Sequence, residues 1–320
     1  MPIDNTPTPD AQLKIIEELL RDMVEGSTNE ITTNLRNFVL YDSDSTNTCI
    51  NVHYVKIDQN GRPRTHELIK SLISNITDYA IPRRTIKSAI DEVNKNGNTK
   101  SLTRLALEAR ELFTKLAKTG EAGELLLFVL AERQLKLPQI LTKMNLKTDP
   151  NLHFNGADGA YLGVKDELLV LYWGESKFYS DFNQGLTHCI NDIAPFLNNE
   201  EEANRDFQLL SSFVANENPE LEKALINNYF NYESPEYDKL KLAALCMVGF
   251  DYDSCKSIEG TKLTNTHIEE CINSSMKTWQ TACEERIARN ELEHHEIHMF
   301  LLPLKSVEEF RDLFLSELGI

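Results

Sequence analysis

The hydrophobic pattern in the middle of the chain predicts a β-hairpin. Two runs of β-forming residues, found within GADGAYLGVKDELLVLYWGESKFY at 156–179, lie on either side of a charged turn at Asp166 and Glu167. Before them, residues 121–135 carry apolar side chains at the three- and four-residue spacing of a helix with one buried face. A further helix is predicted after the hairpin, over 180–197. Helix, two strands and helix therefore form the predicted centre of the protein.

The same periodicities predict a mixed α/β fold for the rest of the chain. From residue 120 onwards helices and strands alternate, which is typical of a mixed sheet with helices on both faces. The N-terminal third is mainly helical with one short strand, so we place a boundary between a 1–115 region and a 116–320 domain. Outside the central segment, the predicted helices cover 9–25, 66–117 with breaks near 81 and over 94–98, two segments of 198–238, 263–289 and 307–318, and the predicted strands cover 48–57, 240–252 and 295–304.

Composition and charge are those of a globular protein that does not coat nucleic acid. The 320 residues are 41% hydrophobic and 26% charged, and the longest apolar runs are too short to span a bilayer. There is no secretory signal and the six cysteines form no C-x-x-C pair, so we expect a soluble, cytoplasmic protein with reduced thiols. The net charge of −17 repels polyanions at long range, but it is compatible with a local cation site or a basic partner.

Three charged residues lie at the far end of the predicted hairpin. Side chains alternate along a strand, so Glu175 and Lys177 share one face. If the chain turns at 166–167, strict pairing outward from the turn places Asp158 opposite Glu175, with the two Cβ atoms about 5 Å apart. An odd-length loop, or a bulge at Gly174, would instead turn Asp158 away.

Two adjacent carboxylates on an apolar face are unfavourable unless a cation compensates them. A divalent ion such as Mg²⁺ does so, because it takes oxygen ligands and usually one or two protein carboxylates. Lys177 beside the pair is suited to orient or deprotonate a water molecule, or to neutralise charge on a phosphate. The three residues therefore predict metal-assisted phosphodiester hydrolysis.

The predicted helix over 121–135 offers a further acidic group. Glu124 lies on its apolar stripe, and Glu121 lies one turn earlier. A carboxylate at the start of this stripe can point towards Asp158 and Glu175. Both glutamates are also compatible with a simple preference for the positive end of the helix dipole, and the spacing leaves the choice between them open.

These residues resemble the core motif of the PD-(D/E)xK nuclease superfamily, in which a helix with a glutamate precedes a hairpin that carries Asp and then (Glu/Asp)-x-Lys. The matching segments are Gly120-x-x-Gly123-Glu124, Gly156-Ala-Asp158-Gly and Gly174-Glu175-Ser-Lys177. Together, GEAGELLLFVLAE, LPQILTKM, GADGAYL and LYWGESKFY more narrowly resemble the HamA family, the nuclease-like subunits of bacterial Hachiman anti-phage defence systems. The resemblance implies a restriction-endonuclease-like core, a mixed sheet flanked by helices, over roughly 116–320.

The resemblance implies a divalent-metal-dependent DNA endonuclease that uses Mg²⁺ or Mn²⁺. Asp158, Glu175 and the backbone carbonyl of Ser176 would hold the metal. Lys177 would serve the attacking water, and Glu124 would support the metal or the lysine. By the same resemblance, the partner is a superfamily 2 helicase of the HamB type that restrains the nuclease until DNA is sensed.

Two positions add detail to this resemblance without changing it. Ala157 stands where the motif name has proline, and Lys143 matches the HamA-like pattern in a role that the residues do not reveal. The 1–115 region is the expected docking site for the helicase. The alternative function is a catalytically silent adaptor whose acidic surface docks onto the helicase or mimics DNA.

Three further groups are assigned to packing or to the surface rather than to chemistry. The first group is the histidines His294, His295 and His298. The predicted strand over 295–304 sends alternate residues to opposite faces, which separates these histidines and argues against a metal site there. The second group is basic and is most simply solvated surface, with a contact to a phosphate backbone as the alternative; it consists of Arg62, Arg64, Arg83, Arg84 and Lys87. The third group is aromatic and most simply packs in the core rather than stacking on bases; it consists of Phe178, Tyr179 and Phe182.

Overall fold

A seven-stranded mixed sheet forms the centre of the protein. The computed structural model describes residues 9–24, 29–116, 120–142, 157–199, 210, 214, 218–231, 233–255 and 262–320. Its strands are β1 (Leu35–Asp42), β2 (Thr48–Val55), β3 (Gln139–Thr142), β4 (Gly159–Lys165), β5 (Leu168–Tyr179), β6 (Leu240–Asp251) and β7 (Glu296–Leu304). Within the described chain their order is β1-β2-β7-β6-β5-β4-β3. The four central strands β2, β7, β6 and β5 run parallel, and the outer pairs are antiparallel.

Helices cover both faces of this sheet, as the alternating pattern predicts. In the described part of the chain the helices are α1 (Pro9–Met23), α2 (Asn29–Asn34), α3 (Thr65–Ile73), α4 (Ile76–Ala80), α5 (Arg83–Asn96), α6 (Lys100–Leu116), α7 (Glu121–Leu130), α8 (Phe182–Asn198), α9 (Pro219–Ala224), α10 (Asn265–Arg289) and α11 (Val307–Leu318). One face is covered by α3 to α7 and α11, and the other by α1, α8 and α10. A π-helical turn over Ala131–Leu135 extends α7, and another over Leu225–Tyr229 extends α9.

The sheet extends across the predicted boundary at residue 115. β2 pairs in parallel with β7, so that Thr48 lies beside Ile297 and Val52 beside Leu301. The apolar layer under α7 also contains side chains from α3 to α6. The N-terminal helices therefore pack on the same core as the hairpin. No described helix combines the length and the apolarity that a membrane span requires, and all six cysteines are free thiols.

The hairpin of β4 and β5 has the register that the charged turn predicts. Asp166 and Glu167 both adopt positive φ, at 51° and 60°, as the two central residues of a tight hairpin turn do when its twist matches that of the strands. Pairing runs without a shift from Lys165 with Leu168 to Gly159 with Gly174. No bulge interrupts the strand at Gly174, so alternation along β5 is strict up to the Glu-Ser-Lys segment.

The ring of Phe178 fixes the distance between α7 and the sheet. It lies between Gly123 on α7 and Gly249 on β6: a Cβ atom built on either glycine would lie 2.6 or 2.5 Å from the ring. The ring also stacks on Phe310 of α11, with the centroids 5.6 Å apart. A Cβ atom at position 123 would lie 2.4 Å from the Oγ atom of Ser176 as well. Glycine at this position therefore allows α7 to pack directly on the strand that carries the candidate site.

A buried carboxylate joins four strands at the opposite end of the sheet. Glu296 of β7 lies 2.9 Å from the Nζ atom of Lys165, and it accepts hydrogen bonds of 3.0 Å from the hydroxyl of Tyr172 and from His298. Burial raises the pKa of Glu296, but the hydrogen bonds from His298 and Lys165 outweigh this effect and lower the pKa from 4.5 to about 2. The carboxylate is therefore held in its charged form.

Glu296→Gln is expected to reduce the dependence of stability on pH. The pKa of Glu296 is lower in the folded protein, so its contribution is complete above about pH 4.5 and is lost as the pH falls towards 2, a total of roughly 3 kcal/mol. Urea unfolding followed from pH 7 to pH 3 checks this. Glu309→Gln is the control, because Glu309 forms an exposed pair with Lys305 at 2.8 Å and should change little. Parallel pH profiles for the wild-type protein and Glu296→Gln would contradict the assignment.

Candidate active site

An ion-paired triad lies at the end of β5, where the Glu-x-Lys pattern predicts a site. The Nζ atom of Lys177 lies 2.6 Å from Oε1 of Glu175 and 2.6 Å from Oδ2 of Asp192 on α8. Glu175 is 1% exposed, whereas the side chain of Asp192 is 45% exposed. Strict alternation along β5 sends Glu175 and Lys177 to one face, as predicted, and α8 covers that face. The lysine therefore links a buried carboxylate to one at the surface.

The two carboxylates determine the protonation of Lys177. Burial lowers the pKa of Lys177, but attraction by Glu175 and hydrogen bonds with Asp192 and Glu175 have the larger combined effect. The pKa of Lys177 is therefore raised above its ordinary value, and the side chain is an ammonium at neutral pH. In this arrangement it donates hydrogen bonds and carries positive charge, and it does not accept a proton.

Asp158 lies beside the same segment but approaches it from the edge of the strand. Its Oδ2 atom accepts a hydrogen bond of 2.9 Å from the backbone N–H of Ser176. Its own N–H donates to the carbonyl of Gly174 at 2.8 Å. Asp158 immediately precedes β4, and its carboxylate accepts the hydrogen bond that a backbone carbonyl of a neighbouring strand would otherwise accept. Because Asp158 is 4% exposed, it brings a second buried acidic group to the residues next to Glu175.

Glu124 reaches the site from the other face of the sheet. α7 packs on the face that carries Ser176 and Phe178, and Glu124 is buried in its first turn. The hydroxyl of Tyr79 on α4 lies 3.1 Å from Oε2 of Glu124. Burial raises the pKa of Tyr79 well above its ordinary value, and the nearby charges of Glu124 and Asp158 raise it further. Tyr79 therefore contacts one of these carboxylates and is close enough to the other for its charge to raise the pKa of the tyrosine.

Glu121 takes a different position on the same helix. It is buried, its Oε2 atom accepts a hydrogen bond from the N–H of Gly120, and it lines a small cavity beside Arg311 of α11. Glu124, in contrast, shares its electrostatic environment with Asp158. Of the two glutamates, Glu124 is therefore the one that contacts Tyr79, a residue whose pKa the charge of Asp158 also raises.

The oxygen atoms of this region suit a hard divalent cation. Asp158 and Glu175 supply carboxylates, and Ser176, which follows Glu175 in the chain and donates its N–H to Asp158, has a carbonyl that is a third candidate oxygen. Among the described residues, no three acidic, histidine or cysteine side chains are placed to share one ion. Asp158 and Glu175 are therefore the two acidic candidates for an ion at this position.

Two residues near the site were not predicted from the sequence. Asp192 lies 15 positions after Lys177 on α8, and Tyr79 lies in the N-terminal region on α4. Neither belongs to the hairpin. The alternation of side chains along β5 gives no information on which helix residues contact that strand. A signal was available only for Asp192, a lone acid close to the apolar stripe of α8 that includes Cys189 and Ile193.

The other sequence candidates take structural positions. His298 hydrogen-bonds to Glu296, and the Nδ1 atom of His295 lies 3.4 Å from the carbonyl of Leu242, so the histidines do not gather around one point. Arg83 contacts Glu132 and donates to the carbonyls of Met23 and Gln139 at 3.0 and 2.7 Å. Its side chain therefore links α1 to β3 by hydrogen bonds and is largely buried. Lys143 lies outside the described residues.

The fold and the site define an α/β protein with a mixed sheet and a buried carboxylate–lysine group at the end of its central hairpin. A family model described as HamA matches residues 29–318. The chain therefore belongs to the HamA family and is a component of Hachiman antiviral defence. No curated protein matches the chain.

Proposed function

We propose that this protein is a divalent-metal-dependent DNA endonuclease that acts in the cytoplasm as the effector of its defence system. The observation that supports this most directly is the 2.6 Å contact between Lys177 and Glu175 on β5. The residue between them, Ser176, donates its backbone N–H to the carboxylate of Asp158. Two buried carboxylates on neighbouring strands, with an ammonium in contact with one of them, are groups that metal-assisted cleavage of a phosphodiester uses. A cation-binding site makes use of both carboxylates, whereas a structural ion pair uses only one.

The metal would be held by Asp158, Glu175 and the carbonyl of Ser176. All three are oxygen donors, which Mg²⁺ and Mn²⁺ prefer, and two carboxylates is a usual protein contribution to Mg²⁺, with water and phosphate as the other ligands. When bound, the ion would supply a Lewis acid for the phosphate and would lower the pKa of a water molecule.

The protein's own side chains have separate tasks in this proposal. Lys177 keeps its proton, because its pKa is raised, and it donates hydrogen bonds to the attacking water or to a phosphate oxygen. Tyr79 also keeps its proton and donates to Glu124, which fixes that carboxylate beside the site. Of the three roles that the sequence allows for Lys177, the ammonium is suited to orienting the water and to neutralising charge on the phosphate, but not to abstracting a proton.

A helicase partner accounts for how so acidic a chain would engage DNA. A net charge of −17 opposes approach to a polyanion, so we propose that a superfamily 2 helicase of the HamB type provides most of the phosphate contacts. We further propose that it docks on the N-terminal region and restrains the nuclease. Tyr79 of α4, in this region, donates a hydrogen bond to Glu124. A partner bound to α4 could therefore change the position of Glu124 through a single contact.

Nicking of supercoiled plasmid tests the proposal. The chain is incubated with Mg²⁺ or Mn²⁺, with and without the helicase and ATP. We expect nicking under at least one of these conditions and a loss of roughly a hundredfold or more in Asp158→Asn, because one of two metal-binding carboxylates becomes neutral. Asp166→Asn is the matched control: Asp166 lies in the turn of the same hairpin, is exposed and has positive φ, which asparagine tolerates.

The outcomes separate the enzyme from the adaptor. Nicking that disappears in Asp158→Asn and persists in Asp166→Asn supports the enzyme. If no condition produces nicking while the helicase still binds, the endonuclease proposal fails and the acidic adaptor remains. The net charge of −17 favours that second function, since it gives the chain a surface that a basic partner can bind. Equal nicking by all three proteins would point to a different site and would also overturn the proposal.

A further inference from the structure

Asp192 holds the lysine of the candidate site from outside the hairpin. Its Oδ2 atom lies 2.6 Å from the Nζ atom of Lys177, the same distance as Oε1 of Glu175 on the other side. The ammonium is therefore shared between two carboxylates. Only one of them, Glu175, belongs to the proposed metal-binding group.

The position of Asp192 is fixed by the packing of α8. The helix begins at the N-cap Asp181, whose side chain accepts a hydrogen bond from the N–H of Gln184. Cys189 is fully buried, and its thiol lies 3.6 Å from the carbonyl of Glu175. The neighbouring Ile193 is also fully buried in the same apolar layer. Because these contacts anchor the helix on β5, Asp192 stands at the rim of the layer, within reach of the lysine and half open to solvent.

We propose that Asp192 is a positioning residue that keeps Glu175 available to a divalent cation. This inference rests on the proposed function. With Asp192 present, the triad of two carboxylates and one ammonium carries a net charge of −1. Without it, the ammonium pairs with Glu175 alone, neutralises it and opposes the approach of a cation. Asp192 therefore acts through Lys177, by sharing the ammonium and reducing its hold on Glu175.

Binding of Mn²⁺ to the full chain, followed by electron paramagnetic resonance, measures this effect without DNA cleavage. The binding that Glu175→Gln abolishes defines the site. Asp192→Asn is expected to weaken this binding about tenfold, since it restores a neutral lysine–glutamate pair. Glu309→Gln is the matched control, because Glu309 is a half-exposed carboxylate on a helix, paired with Lys305 at 2.8 Å, and it should change binding less than about twofold.

A second background distinguishes positioning from a simple loss of charge. In Lys177→Met there is no ammonium to share, so adding Asp192→Asn should change Mn²⁺ affinity less than about twofold if Asp192 acts through the lysine. An equal weakening in both backgrounds would show a through-space effect of the charge and would overturn the inference.

The two proposals fail in different ways. If the wild-type chain binds Mn²⁺ at the site and Asp192→Asn binds it equally well, the role of Asp192 is refuted and the proposed function stands. If the wild-type chain has no Mn²⁺ binding that Glu175→Gln abolishes, the metal site fails, and the role of Asp192 fails with it. Asp192→Glu, which keeps the charge on a longer side chain, should recover part of the affinity if positioning is the cause.

Discussion

Lys177→Met is expected to lower the rate of plasmid nicking roughly a hundredfold or more under the conditions in which the wild-type chain is active. Methionine has a similar length but no charge, so the change removes the ammonium that lies 2.6 Å from Glu175. In the proposed mechanism that ammonium neutralises charge developing on the phosphate. This charge is largest in the transition state, so we expect the loss in kcat, with a smaller change in KM for the plasmid.

The matched control for this substitution is Lys165→Met. Lys165 lies on the same hairpin, in a 2.9 Å ion pair with the buried Glu296, but at the opposite end of the sheet. Both substitutions leave a buried carboxylate with one cation fewer, so both are expected to reduce stability. Rates are therefore compared per folded molecule, with folding followed by circular dichroism. If Lys177→Met retained the activity of Lys165→Met, the lysine would have no direct part in cleavage.

The local features of the site could be predicted because they depend on the period of a strand. Asp166 and Glu167 fix the turn, and with an unshifted register every residue from the turn outward has a defined face. This is why Glu175 and Lys177 were placed together from the sequence. The approach of Asp158 through its side chain to the amide of Ser176 could not be predicted, since it depends on where β4 begins.

The features that could not be predicted depend on pairings between distant parts of the chain. β1 was not identified, because it is an edge strand with polar residues and its register shifts between Asn37 and Val39, which breaks the alternation. β2 was identified, but its parallel partner β7 lies more than 200 residues later, so the sheet across the predicted boundary at 115 was not evident. Asp192 and Tyr79 reach the site for the same reason, through packing of helices on the two faces.

Phe178, which follows Lys177, was predicted to pack in the core, and its surroundings make that packing unusually constrained. One edge of the Phe178 ring faces Gly123 and the other faces Gly249. A Cβ atom on either glycine would clash with the ring, at 2.6 and 2.5 Å respectively. The ring is 5% exposed and stacks on Phe310. Because backbone lines both sides of the ring, the surroundings have few side chains that can move into space left by its removal.

Phe178→Ala is therefore expected to cost about 3–5 kcal/mol in the free energy of unfolding, the upper range for loss of a core aromatic. Urea unfolding measures this cost. The control is Tyr179→Ala, which removes the neighbouring ring, half-buried and stacked on His188 at 5.2 Å, and should cost about 1 kcal/mol. Similar losses in the two variants would show that α7 collapses onto the sheet. The rigid spacing between α7 and β5, which holds the first turn of α7 against the strand of the candidate site, would then be refuted.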